Sequence, residues 1–232
     1  MSDFLFDTPE VESIPVEGEA AAYPVHRIFC VGRNYAAHAK EMGVEVDREA
    51  PFYFTKTPSA TLATGSTIPY PPGTENYHYE MELVIAIGKP VFRVDLKTAA
   101  DAIYAYGCGL DMTRRDSQLA AREKGRPWDV GKDFEQSGVF APLVKADKVS
   151  AIGPQRIHLE VNGEVKQDAH LSDLIWKVDE IVSDLSKFYH LKPGDVIMTG
   201  TPAGVGPVVA GDKITGGIDE VGTIALTIAP AE

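Results

Sequence analysis

The stretch Tyr79-Glu80-Met81-Glu82-Leu83-Val84-Ile85-Ala86-Ile87-Gly88 places two glutamates at the head of an apolar run. The run predicts a strand, and side chains two residues apart on a strand point to the same face. Such alternation is also typical of a half-solvated strand, but residues 83–87 are apolar on both faces, which predicts a covered sheet. We therefore expect Glu80 and Glu82 to enter that sheet together, where their like charges require neutralisation.

A third acidic residue has a similar setting further along the chain. Asp111 lies within 107–113, a second strand-like run whose flanks give it no evident surface role. An unpaired buried carboxylate costs several kcal/mol, so a partner or a metal ion is expected there. Three carboxylates are hard oxygen ligands that suit Mg²⁺, Mn²⁺ or Ca²⁺ rather than zinc, and they leave coordination positions open. The sequence thus predicts a catalytic divalent-metal site formed by Glu80, Glu82 and Asp111.

The rest of the chain is rich in short strands. In residues 1–26, acidic residues and prolines interrupt any period, which predicts an extended N-terminal arm before a single domain at 27–232. The Asn162-Gly163 pair predicts a hairpin. Strands are expected at 27–32, 52–56, 83–87, 104–112, 157–161, 196–199 and 223–228. Because strands and helices do not alternate regularly, the pattern favours a β-rich α+β fold over a Rossmann or barrel fold.

Two helices are predicted. A short one is expected to begin at an Asn34 cap and to end at Gly43. A longer one is expected from a Ser172 cap to about Tyr189, because its apolar residues recur at spacings of three and four.

Composition limits the partners and the location. The chain has 34 acidic and 22 basic residues and a formal net charge of −12, so nucleic acid or an anionic membrane would repel it. Cys30 and Cys108 lie in apolar runs without disulfide or zinc spacing, which favours a reducing compartment. The N-terminal residues lack the pattern of a signal peptide, and no apolar run is long enough to span a bilayer. We expect a cytoplasmic protein that binds neither nucleic acid nor membrane.

His38 and Glu41 lie three residues apart in the first predicted helix and so share a face. A carboxylate beside an imidazole can fix its tautomer and let it take a proton from water. Exposed pairs with this spacing are also common and contribute little, so spacing alone leaves both interpretations open. Lys132 is similarly either a surface lysine or an ammonium that stabilises an oxyanion.

The glycine-rich stretch 199–207 follows a predicted strand. It lacks the Gly-Lys-Ser/Thr ending of a Walker loop, and no GxGxxG motif opens a helix, which argues against a nucleotide site. It is either a tight connection or a rigid loop that presents backbone N–H groups and the Thr201 hydroxyl to a carboxylate.

Four sequence blocks in order carry a resemblance to a known family. They are GRNYAAHAKEMG (32–43), HYEMELVIAIGKP (78–90), GLDMTRRDSQ (109–118) with RPWDVGKDF (126–134), and GDVIMTGTPAGVGPV (194–208). From Arg27 to Ile228 the chain resembles the fumarylacetoacetate hydrolase family, in particular its small single-domain acylpyruvate and fumarylpyruvate hydrolases. The resemblance implies a mixed β-sandwich roll that usually assembles as a homodimer.

The resemblance also implies the metal site and the water-activating group. The ligands of Mg²⁺ or Mn²⁺ would be Glu80, Glu82 and Asp111. The dyad that activates water would be His38 and Glu41, on a lid helix that closes over the substrate.

Substrate contacts are implied in the same way. Lys132 would lie beside the reacting carbonyl, and further contacts would come from Arg115, Gln118 and Thr201. The cation that receives a distal carboxylate stays open among four residues. These are Arg33, Lys56, Arg115 and Arg126.

The implied reaction is metal-dependent hydrolysis of the C–C bond of a 2,4-diketo acid. The favoured case converts fumarylpyruvate to fumarate and pyruvate, as in gentisate-type aromatic catabolism. The alternatives on the same site are a general acylpyruvate hydrolase, an oxaloacetate decarboxylase and a diacid decarboxylase-isomerase. The alternative outside the enzymes is a metal- or ligand-binding β-domain. The His38 and Glu41 pair favours hydrolysis, since decarboxylation needs no activated water.

Overall fold

Short strands dominate the computed structural model, which describes residues 4–43 and 48–232. The strands are β1 (Ser13–Ile14), β2 (Tyr23–Pro24), β3 (Arg27–Gly32), β4 (Phe52–Lys56), β5 (Thr61–Ala63), β6 (Ser66–Pro69), β7 (Tyr77–Tyr79), β8 (Met81–Ile87), β9 (Ile103–Asp111), β10 (Thr113–Arg114), β11 (Gly138–Phe140), β12 (Val144–Lys145), β13 (Arg156–Val161), β14 (Glu164–His170), β15 (Asp195–Met198), β16 (Gly206–Val208), β17 (Lys213–Ile218) and β18 (Gly222–Ala229). The α-helices are α1 (Ala36–Glu41), α2 (Leu96–Asp101), α3 (Arg115–Glu123), α4 (Asp129–Lys132) and α5 (Val178–Leu185). Short 3₁₀ helices span Pro58–Ala60, Ala146–Lys148 and Leu171–Asp173.

Two mixed sheets form the body of the fold. The larger follows the order β4-β3-β15-β8-β9-β11-β5, with β12 also paired to β9, and the second follows β14-β13-β17-β18-β6. The pairs β3–β15, β5–β11 and β6–β18 are parallel. The main core lies between the sheets, where Leu83 and Ile85 of β8 belong to one cluster with Ile157 and Leu159 of β13. The β-rich α+β prediction is therefore confirmed.

The N-terminal segment covers the other face of the larger sheet. Strands β1 and β2 pair antiparallel, and Ile14, Val16 and Tyr23 pack in a second cluster with Val84 and Ala86 of β8. Strand β8 is therefore buried on both faces, as its apolar run predicts. Residues 1–3 of the predicted arm lie outside the described residues.

Most strand predictions agree closely with the structure. The spans 27–32 and 52–56 match β3 and β4, and the other predicted strands differ by at most two residues at either end. Asn162 (φ 53°) and Gly163 (φ 81°) form the turn between β13 and β14, and these left-handed conformations are typical of the predicted hairpin. Within the two described ranges, no helix is long and apolar enough to cross a membrane.

The predicted long helix is wrong in its extent. Helix α5 begins at Val178, after the 3₁₀ turn Leu171–Asp173, and ends at Leu185. Ser172 is not its cap. The residues before α5 are held elsewhere, because the backbone N–H of Ile175 donates to the Asn34 carbonyl at 2.8 Å and that of Trp176 donates to Asn34 Oδ1 at 2.7 Å. These long-range bonds replace the intrahelical bonds that the periodicity predicts.

The predicted Asn34 cap is wrong for the same reason. The N-terminal flanking residue of α1 is Tyr35, while the Asn34 side chain is fully buried and donates to the Thr199 carbonyl at 2.8 Å. Asn34 thus ties the start of α1 to the turn after β15 and to the residues before α5. The predicted end of this helix at Gly43 is confirmed by its left-handed φ of 67°.

Tyr23→Phe tests whether the N-terminal segment is part of the cooperative fold. The Tyr23 hydroxyl donates to the Ile87 carbonyl and accepts from the Gly194 N–H, both at 2.8 Å. Losing it leaves buried backbone groups without a partner, so we expect the free energy of unfolding to fall by about 1–3 kcal/mol in urea titrations.

The control for this substitution is Tyr104→Phe. It removes a hydroxyl from the neighbouring ring, whose centroid is 6.2 Å from that of Tyr23. An equal loss of stability in both variants, or none in Tyr23→Phe, would contradict the anchoring of the segment by the Tyr23 hydroxyl.

Candidate metal centre and active site

The register of β8 against β9 brings the three predicted acidic residues together. Glu82 pairs with Gly109, and the backbone N–H of Asp111 donates to the Glu80 carbonyl at 2.9 Å. Glu80 therefore lies opposite Asp111, and the two-residue period puts Glu82 on the same face. One ligand oxygen from each side chain lies within 4.8 Å of the others.

The carboxylates are buried and share a lysine. Glu80, Glu82 and Asp111 are 5%, 2% and 0% exposed. Lys132, at the end of α4, is 1% exposed and therefore not a surface lysine. Its ammonium lies 2.7 Å from Glu80 Oε2 and 2.7 Å from Asp111 Oδ2, and it donates to the Thr113 hydroxyl at 2.8 Å. All three protons of the ammonium are thereby used.

Two further cations pair with the same carboxylates. Lys56 of β4 is 2% exposed, and its Nζ lies 2.9 Å from Asp111 Oδ1. Arg115, at the start of α3, pairs with Glu80 and also donates to the Gln118 side-chain oxygen. Sequence reasoning considered Lys56 only as a candidate for a distal carboxylate, whereas the structure pairs it with Asp111.

The charges of Glu80 and Lys132 stabilise each other. Burial alone would raise the pKa of Glu80, but the charges of Lys132 and Arg115 hold that pKa well below its ordinary value. Burial alone would likewise lower the pKa of Lys132, but Asp111 and Glu80 raise it above its usual range. Both groups are therefore held in their charged forms.

Glu82 has a different environment. Among the described residues, no cationic side chain lies at ion-pair distance from it, and its Oε2 accepts from the Gly200 N–H at 2.7 Å. Burial, followed by the charges of Asp111 and Glu80, raises the pKa of Glu82 well above its ordinary value. Its ionised form is thus the one that an added cation would stabilise most.

The donor set fits a hard divalent ion. The cluster consists of three carboxylates, and such oxygen ligands suit Mg²⁺, Mn²⁺ or Ca²⁺ better than zinc. The ionised Glu82 supplies a specific reason for a cation, since no described cationic side chain pairs with it directly and the charge of Lys132 offsets only part of the effect of burial. Glu80, Glu82 and Asp111 are therefore suited to hold such an ion.

The predicted dyad lies at one wall of the same pocket. His38 of α1 is 6% exposed, and its Nδ1 lies 3.1 Å from Glu41 Oε2. Glu41 also accepts from the Gly204 N–H at 3.1 Å, which fixes the carboxylate to the glycine-rich turn. A proton on Nδ1 can be donated to Glu41, and this tautomer leaves Nε2 free to act as a base.

A pocket with about 460 Å³ of empty space, part of it open to solvent, joins these groups. The predicted residues that line it are His38, Glu80, Glu82, Arg115, Gln118, Lys132 and Thr201. Glu41 and Asp111 do not line the pocket themselves, but Glu41 contacts His38 and Asp111 contacts Lys132, which do. Arg33, a candidate for a distal carboxylate, also lines it, and the lining residues that sequence reasoning did not single out are Val31, Gly32, Met42, Phe54, Arg122 and Trp128.

Gln167 is a further residue that sequence reasoning missed. It is fully buried, and its Nε2 donates to the Thr201 hydroxyl oxygen at 2.8 Å while its Oε1 accepts from the Met81 N–H at 3.0 Å. Because Thr201 accepts from Gln167, its own hydroxyl proton is free to donate into the pocket. No local pattern around Gln167 signals this role, since it arises from the contact of β14 with the turn after β15.

Comparison with known proteins is consistent with this geometry. Residues 27–229 match the family model described as fumarylacetoacetate (FAA) hydrolase C-terminal. A fumarylpyruvate hydrolase from a Ralstonia species is 56% identical over 193 residues, which cover 82% of this chain and 100% of that protein. A mitochondrial oxaloacetate decarboxylase from Dictyostelium discoideum is 39% identical over 198 residues, which cover 85% of this chain and 90% of that protein.

A solved structure is similar over nearly the whole chain. The crystal structure of fumarylpyruvate hydrolase from Pseudomonas aeruginosa in complex with Mn²⁺ and pyruvate has a TM-score of 0.94 and 45% sequence identity. The match covers 98% of this chain and 100% of that one.

Glu82→Gln is expected to change how stability depends on pH in a chelator. A carboxyl with a raised folded pKa stabilises the fold fully below its unfolded value, near 4.5, and the contribution is lost as the pH rises through the folded pKa. Wild type in EDTA should therefore lose stability relative to Glu82→Gln as the pH rises above the unfolded value and through the raised folded pKa. Urea unfolding at several pH values measures this difference.

Glu164→Gln serves as the control, because the Glu164 side chain is 75% exposed. Excess Mn²⁺ should reverse the order, so that wild type gains more stability than Glu82→Gln. If the stability of wild type and Glu82→Gln in EDTA changed with pH in the same way, the raised pKa of Glu82 would be contradicted.

Proposed function

This chain belongs to the fumarylacetoacetate hydrolase family, and on that basis we propose that it hydrolyses the C–C bond of a 2,4-diketo acid. Fumarylpyruvate is the proposed substrate, and fumarate and pyruvate are the products. The observation that carries this proposal is the single pocket in which a buried carboxylate cluster faces the dyad of His38 and Glu41. The Ralstonia and Pseudomonas relatives bear the name of this activity.

We propose that Glu80, Glu82 and Asp111 hold the ion, with Mg²⁺ as the favoured metal and Mn²⁺, found in the Pseudomonas structure, as the other candidate. When bound, the ion would act as a Lewis acid that stabilises negative charge on the pyruvate fragment of the substrate. The three carboxylates already face three cationic side chains, Lys56, Lys132 and Arg115. A bound ion therefore leaves the site net positive, which suits an anionic substrate.

We assign the activation of water to His38. With its proton on Nδ1 held by Glu41, Nε2 takes a proton from water, and the hydroxide attacks the C4 carbonyl of the substrate. The same imidazolium then supplies a proton as the C3–C4 bond breaks and pyruvate leaves in its enol form. His38 is only 6% exposed, so the imidazole has little contact with bulk water.

We assign stabilisation of the C4 oxyanion to Lys132. Its ammonium already donates to Glu80, Asp111 and Thr113, so contact with an oxyanion requires the exchange of one partner. The neutral Thr113 hydroxyl is the weakest of these acceptors and the one that we expect to be exchanged. Substrate contacts are proposed for Arg115, Gln118 and Thr201, all of which line the pocket.

Decarboxylation of oxaloacetate is the second candidate activity, because the Dictyostelium relative bears that name. The reaction needs no activated water, so it would leave the pair of His38 and Glu41 without a role. Hydrolysis gives a role to His38 as the base, to Lys132 at the oxyanion and to the carboxylates at the ion. We favour it for that reason.

A substrate panel tests the proposed function. Purified protein with Mg²⁺ or Mn²⁺ is mixed with fumarylpyruvate, acetylpyruvate or oxaloacetate, and loss of diketo absorbance and formation of pyruvate are followed. We expect fumarylpyruvate to have the largest kcat/KM. Turnover of oxaloacetate with no cleavage of either diketo acid would contradict hydrolysis.

His38→Ala is expected to lower kcat for fumarylpyruvate by about 10²–10⁴-fold, because water loses its general base. Stabilisation of the protein by Mn²⁺ should persist, since His38 is not one of the carboxylates of the cluster. The control is His26→Ala, which alters an exposed histidine. Near-normal turnover by His38→Ala would rule out the dyad.

The finer expectations are also proposals. We propose a cytoplasmic homodimer with its catalytic domain at residues 27–232, acting in gentisate-type aromatic catabolism. Light scattering of the purified full-length chain measures the oligomeric state directly.

A further inference from the structure

Two arginines of the active-site pocket have no acidic partner among the residues that the structure describes. Arg33 and Arg122 line the same pocket as the carboxylate cluster. Among residues 4–43 and 48–232, no carboxylate lies at ion-pair distance from either guanidinium, whereas Lys56, Lys132 and Arg115 all have such partners. The pocket therefore has one end where cations and carboxylates balance and another with unbalanced positive charge.

The backbone fixes Arg33 at this position. Arg33 follows β3 with a φ of 61°, a left-handed conformation that is strained for a non-glycine residue. Its guanidinium lies over the rings of Phe52 and Trp128, at 5.5 Å and 5.7 Å from their centroids. These contacts hold the charge at the pocket wall without neutralising it.

Helix α3 determines the position of Arg122. Arg115, Gln118 and Arg122 are spaced at i, i+3 and i+7, so they share one face of the helix. The rise from Arg115 to Arg122 is roughly 10 Å. Arg122 Nη1 donates to the Met42 carbonyl at 3.1 Å, which leaves its remaining N–H groups for another acceptor.

The two arginines also disfavour each other. Burial, followed by the charge of Arg122, lowers the pKa of Arg33. Two partly buried like charges on one pocket wall are stabilised by an anion between them, and a carboxylate matches the guanidinium fork in geometry.

We propose that Arg33 and Arg122 form an anion subsite that binds the distal carboxylate of the substrate, and that this subsite selects acyl tails ending in a carboxylate. The inference rests on the proposed function to the extent that the diketo head occupies the metal end. An extended seven-carbon diacid spans roughly 7–8 Å between its terminal carbons, which fits the separation along α3 once hydrogen bonds at both ends are added.

The other cations suggested by the sequence do not fit this role. Lys56 pairs with Asp111, and Arg115 pairs with Glu80. Arg126 is exposed and does not line the pocket. Phe54 and Trp128 line the pocket beside the arginines and offer ring surfaces for a planar, unsaturated chain.

The test uses two ligands that cannot be hydrolysed. The 2-oxo diacid with seven carbons, 2-oxoheptanedioate, and the monoacid 2-oxoheptanoate share the 2-oxo acid head and the chain length, and neither has a C4 carbonyl. Calorimetric titration into the Mn²⁺-loaded full-length protein gives both dissociation constants. We expect wild type to bind the diacid about 10–100-fold more tightly, as charge-assisted hydrogen bonds to an arginine pair imply.

Arg122→Gln and Arg33→Gln should each lower the preference for the diacid over the monoacid to a ratio of dissociation constants close to one. Arg122→Lys should retain part of it, because it keeps the charge and loses the fork. The matched control is Arg126→Gln, four residues further along the chain and outside the pocket, which should keep the wild-type ratio.

Two results would overturn the subsite. One is a wild-type ratio near one. The other is an equal loss of affinity for both ligands in Arg122→Gln, which would mean that Arg122 only anchors the Met42 carbonyl at the end of α1.

Neither result depends on catalysis. A preserved ratio in a protein that fails to cleave fumarylpyruvate would reject the proposed function and support the subsite. Cleavage of fumarylpyruvate by a protein that binds both ligands equally would support the proposed function and reject the subsite.

Discussion

The burial of three carboxylates on one face of β8 and β9 is the constraint on which the rest of the site depends. The cross-strand position of Glu80 and Asp111, with Glu82 two residues along, concentrates negative charge where water cannot screen it. The positive charges that balance these carboxylates come from distant parts of the chain. Lys132 lies at the end of α4, and Lys56 lies on the edge strand β4. The carboxylate cluster is therefore compensated only when these elements are packed together.

Local periodicity explains why much of the site was predictable from sequence. The two-residue period of a strand put Glu80 and Glu82 on one face, and the helical spacing put His38 beside Glu41. What sequence reasoning missed depends on long-range contacts. Asn34 takes the backbone bonds that a longer α5 would have made, and the absence of a described carboxylate beside Arg122 is visible only once its surroundings in the pocket are known.

The pocket has two electrostatically distinct ends, and this polarity connects the chemistry to the choice of substrate. Carboxylates suited to a divalent ion line this pocket together with His38 and with two arginines that no described carboxylate pairs. An acid with a chelating head and an anionic tail satisfies both ends at once. On the proposed subsite, a seven-carbon diketo diacid can contact both groups at once, which favours hydrolysis of a long diketo acid over decarboxylation of oxaloacetate.

Anomalous diffraction from crystals of the Mn²⁺-loaded protein tests the central claim most directly, because it locates the ion independently of turnover. The structure predicts a manganese peak among the oxygens of Glu80, Glu82 and Asp111. An ion bound elsewhere, or an ammonium of Lys132 that keeps its bonds to Glu80 and Asp111 with no manganese peak beside them, would contradict the assignment of this cluster as the metal centre.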